Sequence, residues 1–188
     1  MSSLFRDRLG FVFFALSGLL SLFLAWQRLN LLVVLAAFHN LLLAAMYASR
    51  EPEKSYDRTG LWLGLLAAFL PMPFAPVEIA APLMALGLAG YALVFWSLLA
   101  LGPRFGLAPA DRGLVTAGPY RLVRHPMYLG ELILRGALIL ALDPLSGLAP
   151  FLILVFLQCL RSLREEKIIQ GYEVYARQVK WRLIPLFF

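Results

Sequence analysis

Cysteine occurs once in this chain, at Cys159, and histidine twice, at His39 and His125. A single thiol excludes an internal disulfide framework and a cysteine metal site. No Gly-x-Gly-x-x-Gly turn is present, so the sequence mark of a soluble dinucleotide fold is missing. There is also no internal repeat and no low-complexity segment. What fills the 188 residues instead is apolar: 61% of them are hydrophobic, and the mean hydropathy is +0.78. That exceeds the near-half typical of a soluble domain and points to a membrane.

The apolar residues come in six blocks, 9–26, 29–47, 60–70, 79–101, 126–142 and 145–160, separated by short charged segments. A span needs about 20 residues, with a lower limit near 17. The third block is therefore short unless it continues through the proline-broken run 71–76, and five or six spans are expected, with six preferred. The first eight residues are too short and basic for a leader. Trp26-Gln27-Arg28 is no small-residue cleavage site, so the first block reads as a helix of the mature chain. Tight turns at Trp26–Asn30 and at Asp143-Pro144 predict two helical hairpins. The expected fold is an all-α integral membrane protein, one domain over 1–188. Its N-terminal helices occupy 1–101, and a loop, helical hairpin and tail follow over 102–188.

Net charge is +6, and its placement is informative. With a cytoplasmic N-terminus and six spans, every Lys and Arg except Arg28 and Arg135 falls in a cytoplasmic segment. This is the positive-inside pattern, and it places both termini in the cytoplasm. The cations flanking the blocks suit an anionic lipid surface; they call for neither nucleic acid nor metal. No sequence feature names an oligomeric state.

Polar residues gather at one doorway, Gly118-Pro119-Tyr120-Arg121-Leu122-Val123-Arg124-His125-Pro126-Met127-Tyr128-Leu129-Gly130. Because a residue before proline avoids helix and proline favours the first helical position, the fifth helix is predicted to start at Pro126, with His125 at its cap. Its free amides form a place for a carboxylate or phosphate. Gly130 allows close approach of a ligand or a helix. A second cluster, Arg161-Ser162-Leu163-Arg164-Glu165-Glu166, puts Arg161 and Glu165 on one helix face. The hairpin between the clusters should bring them within about 10 Å. Taken singly, each cluster also fits an interfacial belt or a solvated helix end. Glu131 and Arg135, at i and i+4 within the fifth block, can pair and are expected to line an internal pocket.

As an ordered series these elements resemble the isoprenylcysteine carboxyl methyltransferase family and its membrane methyltransferase relatives, including phospholipid methyltransferases. The matching elements are Leu114-Val115-Thr116-Ala117-Gly118-Pro119-Tyr120, Arg124-His125-Pro126-Met127-Tyr128-Leu129-Gly130, Arg161 with Glu165-Glu166, and Arg182-Leu183-Ile184-Pro185. The resemblance implies S-adenosyl-L-methionine as cofactor. Carried over by position, it implies Leu114, Val115, Tyr120, His125, Pro126, Met127, Tyr128 and Glu165 as cofactor contacts. Arg161 is implied to meet the methyl acceptor, and Arg161 and Glu165 to carry catalysis. Two positions depart from the prenylcysteine pattern: Arg112 stands where a histidine is usual, and the link from Glu166 to Tyr172-Glu173-Val174-Tyr175 is shorter.

The implied donor carries a sulfonium, a carboxylate and an amine. Tyr120 and Tyr128 suit the cation, and Glu165 suits the amine. The expected acceptor is lipophilic, comes from the bilayer and is preferably a carboxylate, which needs only orientation by Arg161. A phospholipid amine or a small thiol is the alternative, with Glu165 or Glu166 as base for an amine. Outside this class stand a non-enzymatic scaffold or lipid-binding protein, a haem protein ligated by His39 and His125, and a nicotinamide-dependent reductase.

Overall fold

The computed structural model describes residues 3–28, 30–69, 78–142 and 144–187. The proline run 71–76, Asp143 of the second predicted turn and Leu29 of the first lie outside them. Seven helices and one two-stranded ladder make up the described chain: α1 (Ser3–Arg28), α2 (Leu31–Ala48), β1 (Ser55–Tyr56), α3 (Arg58–Phe69), α4 (Ala81–Leu101), β2 (Ala110–Asp111), α5 (Pro126–Leu142), α6 (Pro144–Ile168) and α7 (Tyr172–Gln178). The fold is helical, as the block pattern predicts.

Four of these helices offer stretches long and apolar enough to cross a membrane: Leu4–Gln27, Leu31–Ala48, Ala81–Arg104 and Gly147–Ile168. The fifth block falls one residue short of that measure, because α5 has 17 residues. The third falls well short, since the 12 residues of α3 rise only about 18 Å.

Each pairing of helices has a local cause. The predicted first hairpin forms: α2 is capped by Asn30, whose Oδ1 accepts from Leu32 N at 2.9 Å, and α1 packs along α2. Between α4 and α5 the contact is backbone to backbone. A Cβ at Gly90 would stand 2.7 Å from Leu134 N, and one at Gly130 would stand 2.8 Å from Gly90 O. Small residues let helices approach this closely in a membrane. Gly130 thus serves a helix, not a ligand. α5 and α6 form the predicted second hairpin, and α3 packs on α6.

The charged segments assigned to the cytoplasm from the sequence meet on one face of the bundle. Arg6 pairs with Glu53, Arg50 with Asp7 at 2.6 Å, Arg112 with Glu53, and Arg164 with Asp57 at 2.9 Å. The start of α1, the end of α2, the loop after α4 and the end of α6 therefore share a side. The antiparallel ladder pairs Ser55 with Asp111 and Tyr56 with Ala110. Together with Glu51 N to Pro103 O at 3.0 Å, it pins the long loop 102–125 across the mouth of the bundle.

Candidate functional site at the membrane boundary

The pinned loop divides two cavities. An interfacial cavity of about 90 Å³ lies between the loop, the start of α5, the end of α6 and α7. An intramembrane cavity of about 380 Å³ lies below it among α1 to α6. Phe105 and Met127 line both.

The doorway stretch folds as its residues dictate. Gly118 adopts φ +61°, a left-handed conformation that favours glycine, and opens the short 3-10 turn Gly118–Arg121. That turn buries Tyr120. The Tyr175 hydroxyl donates to Tyr120 O at 2.6 Å, clasping the turn to α7. α5 then starts at Pro126, as predicted. Just before it, Arg124 N and His125 N donate to Trp181 O and Arg182 O, each at 2.8 Å, so the tail is stitched to the doorway. Arg124 spends its guanidinium on the same task. Nε donates to Val179 O at 2.7 Å, Nη2 to Ala176 O at 2.9 Å, and Nη1 to Glu166 at 3.3 Å.

The two charged clusters meet across the hairpin, as the sequence implies for residues 124 to 128. His125 Nδ1 lies 3.4 Å from Glu165 and Nε2 lies 3.5 Å from Glu166, with the Tyr172 hydroxyl 3.1 Å from Nε2. Burial works against the charged imidazole, but the hydrogen bonds and charges of Glu165 and Glu166 outweigh it and raise its pKa above 6.5. Glu166 also receives Arg182 Nε at 2.9 Å. Arg121 stays exposed and outside the cluster.

Tyr128 is the hinge of the arrangement. Its hydroxyl donates to Glu165. Its ring stacks on His125 with centroids 5.5 Å apart, and the Arg161 guanidinium lies over it at 4.5 Å. The ring expected from the sequence to meet the donor's cation already holds a cation of this chain. Arg161 is 4% exposed, donates Nη1 to Gln158 Oε1 at 3.0 Å and Nη2 to Leu107 O at 3.2 Å, and leaves Nε without a partner.

Of the sequence-derived residues, Leu114, Val115, Tyr120, His125, Met127, Tyr128 and Glu165 line the interfacial cavity. Arg161 lines the intramembrane one. Pro126 is fully buried at the start of α5 and lines neither. Glu131 and Arg135 do line the intramembrane cavity and pair at 3.0 Å, as expected. His39 lines it too, edge-on to Tyr91 and Phe95. His125 lines the other cavity with both ring nitrogens engaged, an arrangement that offers no haem a ligand pair.

Sequence reasoning named Tyr172 and Tyr175 only for their spacing from Glu166, with no site role, and passed over Gln158. The first two line the interfacial cavity; their i, i+3 spacing in α7 was the available signal. Gln158 sits one turn before Arg161 in an otherwise apolar run and bonds both Arg161 and Glu131. A lone amide in such a run was the clue.

No curated protein and no solved structure matches the chain. The family described as "Phospholipid methyltransferase" does, over residues 77–178. That match takes in α4, the pinned loop, the hairpin and α7, which are the elements that build the interfacial cavity. It spans more than half of a chain four of whose described helices are long and apolar enough to cross a membrane, and the protein belongs to the phospholipid methyltransferase family of membrane methyltransferases.

Proposed function

We propose that the protein transfers a methyl group from S-adenosyl-L-methionine, held in the interfacial cavity, to a lipophilic acceptor that enters the intramembrane cavity from the bilayer. The residues present fit that donor. Glu165 is a carboxylate for its amine, Arg104 and Arg112 are wall cations for its carboxylate, and Tyr120, Tyr172 and Tyr175 supply aromatic surface for its base and sulfonium. When bound, the donor supplies an electrophilic methyl on a cationic sulfur. One observation carries the reading: Tyr128 touches Glu165 through its hydroxyl and Arg161 through its ring, so a donor-side carboxylate and an acceptor-side guanidinium flank one side chain where the cavities meet.

Positioning then accounts for much of the rate. Tyr128 fixes Glu165 and Arg161 relative to each other, His125 steadies Glu165, and the loop carrying Phe105 and Leu107 shields the junction. Arg161 orients the acceptor oxygen. A carboxylate acceptor, as in the isoprenylcysteine enzymes, is a nucleophile as it stands and needs no base. The family match favours a second reading, a phospholipid amine, and there Glu165 is the carboxylate at the junction able to take the proton. The charged segments gathered on one face support a cytoplasmic location for both termini and for the interfacial cavity.

The reading is tested by equilibrium binding of S-adenosylmethionine to purified protein, with Tyr128→Ala and Glu165→Ala each expected to weaken it about tenfold, as for loss of a charge-assisted bond. Wild-type protein that does not bind the donor would sink the proposal. Labelled donor offered with a prenylated cysteine analogue, phosphatidylethanolamine or a small thiol then separates the acceptor classes.

A further inference from the structure

The intramembrane cavity contains more polar chemistry than an apolar tail needs. Arg135 is 8% exposed and faces this cavity. Its Nη2 donates to Glu131 Oε1 at 3.0 Å, and its Nη1 has no partner. The other Glu131 oxygen is taken by Gln158 Nε2, and Gln158 Oε1 is taken by Arg161 Nη1 at 3.0 Å. The chain Arg135–Glu131–Gln158–Arg161 therefore engages both carboxylate oxygens and the amide oxygen, yet leaves two donor nitrogens over, Arg135 Nη1 and Arg161 Nε. Buried donors of a charged group are costly to leave unmade, and more so within a membrane. Both belong to residues that line one cavity, and what they lack is an oxygen.

We propose that this cavity selects acceptors by a second polar contact: Arg135 Nη1, backed by Glu131, binds an oxygen on the hydrophobic body of the acceptor, while Arg161 holds the end that is methylated. This deepens the methyltransferase reading and rests on it for the identity of the methylated end. The spacing follows from α5. Arg135 is seven residues beyond Tyr128, which bonds Glu165 at the junction, and seven residues rise about 10 Å. The preferred acceptor is therefore an amphiphile with a carbonyl, ether or hydroxyl oxygen about 10 Å from its methyl-accepting group. An unsubstituted hydrocarbon tail leaves Arg135 Nη1 unpaired and binds less well. Glu131 matters because it fixes the guanidinium; it does not face the acceptor as a base, since both its oxygens are engaged.

Two probes test this: stearate, and a keto-stearate whose carbonyl lies nine carbons along the chain. Their dissociation constants are measured by calorimetry on wild-type protein in nonionic detergent, on Arg135→Leu, and on Glu131→Leu/Arg135→Leu, which removes the pair together should the single variant not fold. Micelle partitioning cancels when the ratio of the two constants is compared between proteins. The expected result is a wild-type preference for the keto acid of about tenfold or more, reduced to near unity in either variant. An equal ratio in wild type and variants, or no binding of either acid by wild type, overturns the inference. S-adenosylmethionine binding, measured on the same preparations, keeps the two claims apart. A wild type that binds the donor but shows no ketone preference refutes the second contact alone. One that binds no donor refutes the methyltransferase reading whatever the fatty acids do.

Discussion

The two cavities share Phe105 and Met127 but satisfy their polar groups in opposite ways. Around the interfacial cavity, charge is paired within the chain. Glu166 receives Arg124 and Arg182, His125 sits between two carboxylates, and the spare nitrogens of Arg124 bond backbone carbonyls. In the intramembrane cavity the ion pair is present but incomplete, with Arg135 Nη1 and Arg161 Nε unpartnered. Paired charge fixes shape before any ligand arrives, and it suits a site that must hold one small polar molecule in one pose. Leftover donors are different: their cost is recovered only when a ligand supplies the missing oxygen. The comparison assigns rigidity to the donor side and selectivity to the acceptor side.

Removing Arg161 should break the comparison most severely, because this residue faces one cavity and touches the wall of the other. Arg161→Leu is expected to lower methyl transfer to membrane lipid by about a hundredfold or more, in line with losing a buried charge partner. Donor affinity should change far less. Scintillation counting of labelled methyl in extracted lipid, beside donor binding, checks both halves. Equal loss in the two would mean Arg161 belongs to the donor site.

Next in size is the glycine contact that holds α4 against α5. Gly130→Val places a Cβ 2.8 Å from Gly90 O with Val94 Cγ2 at 2.9 Å, so the helices must part. A loss of about 1–3 kcal/mol is expected from such overpacking. Because α5 contributes walls to both cavities, donor and acceptor binding should weaken together. Thermal melting in detergent reads the first and titration the second.

A smaller effect comes through pH. His125 has a raised pKa in the folded protein, so its protonation favours the fold. That stabilisation is complete below 6.5, its ordinary value, and fades as pH rises through the higher folded-state value. The stability of wild type relative to His125→Gln should therefore decline as pH rises above about 6.5, read as the difference between their melting temperatures. A difference that stays constant or grows with pH would contradict the assignment. The rim should matter least. Arg164 is 41% exposed, so Asp57→Asn is expected to cost less than about 1 kcal/mol and to leave both cavities as they are.

Much of this was legible in the sequence where a residue's own backbone chemistry decides the outcome. Pro126 starts α5 because proline favours the first helical position and the residue before it avoids helix, and the spacing of hydrophobic blocks gives the two hairpins. The meeting of His125 and Tyr128 with Glu165 followed from the hairpin alone. What escaped were relations between distant segments. Nothing local says that Gly90 and Gly130 face each other, or that Ser55-Tyr56 pairs with Ala110-Asp111 and draws the loop over the bundle. The role of Tyr128 escaped for the same reason. Its sequence suggests an aromatic face waiting for a cation, but only the fold supplies Arg161 over that ring. The division into two cavities likewise depends on where Phe105 and Leu107 come to rest, which no spacing rule reports.

The division itself is open to one direct measurement: S-adenosylmethionine binding isotherms for wild type, Glu165→Gln and Ala36→Phe. Glu165 lines only the interfacial cavity and Ala36 only the intramembrane one, where a phenyl ring would take up acceptor space. If donor and acceptor occupy separate cavities, Glu165→Gln weakens donor binding about tenfold while Ala36→Phe binds it as wild type does and fails to methylate lipid. Donor affinity lost in Ala36→Phe and kept in Glu165→Gln would contradict that division.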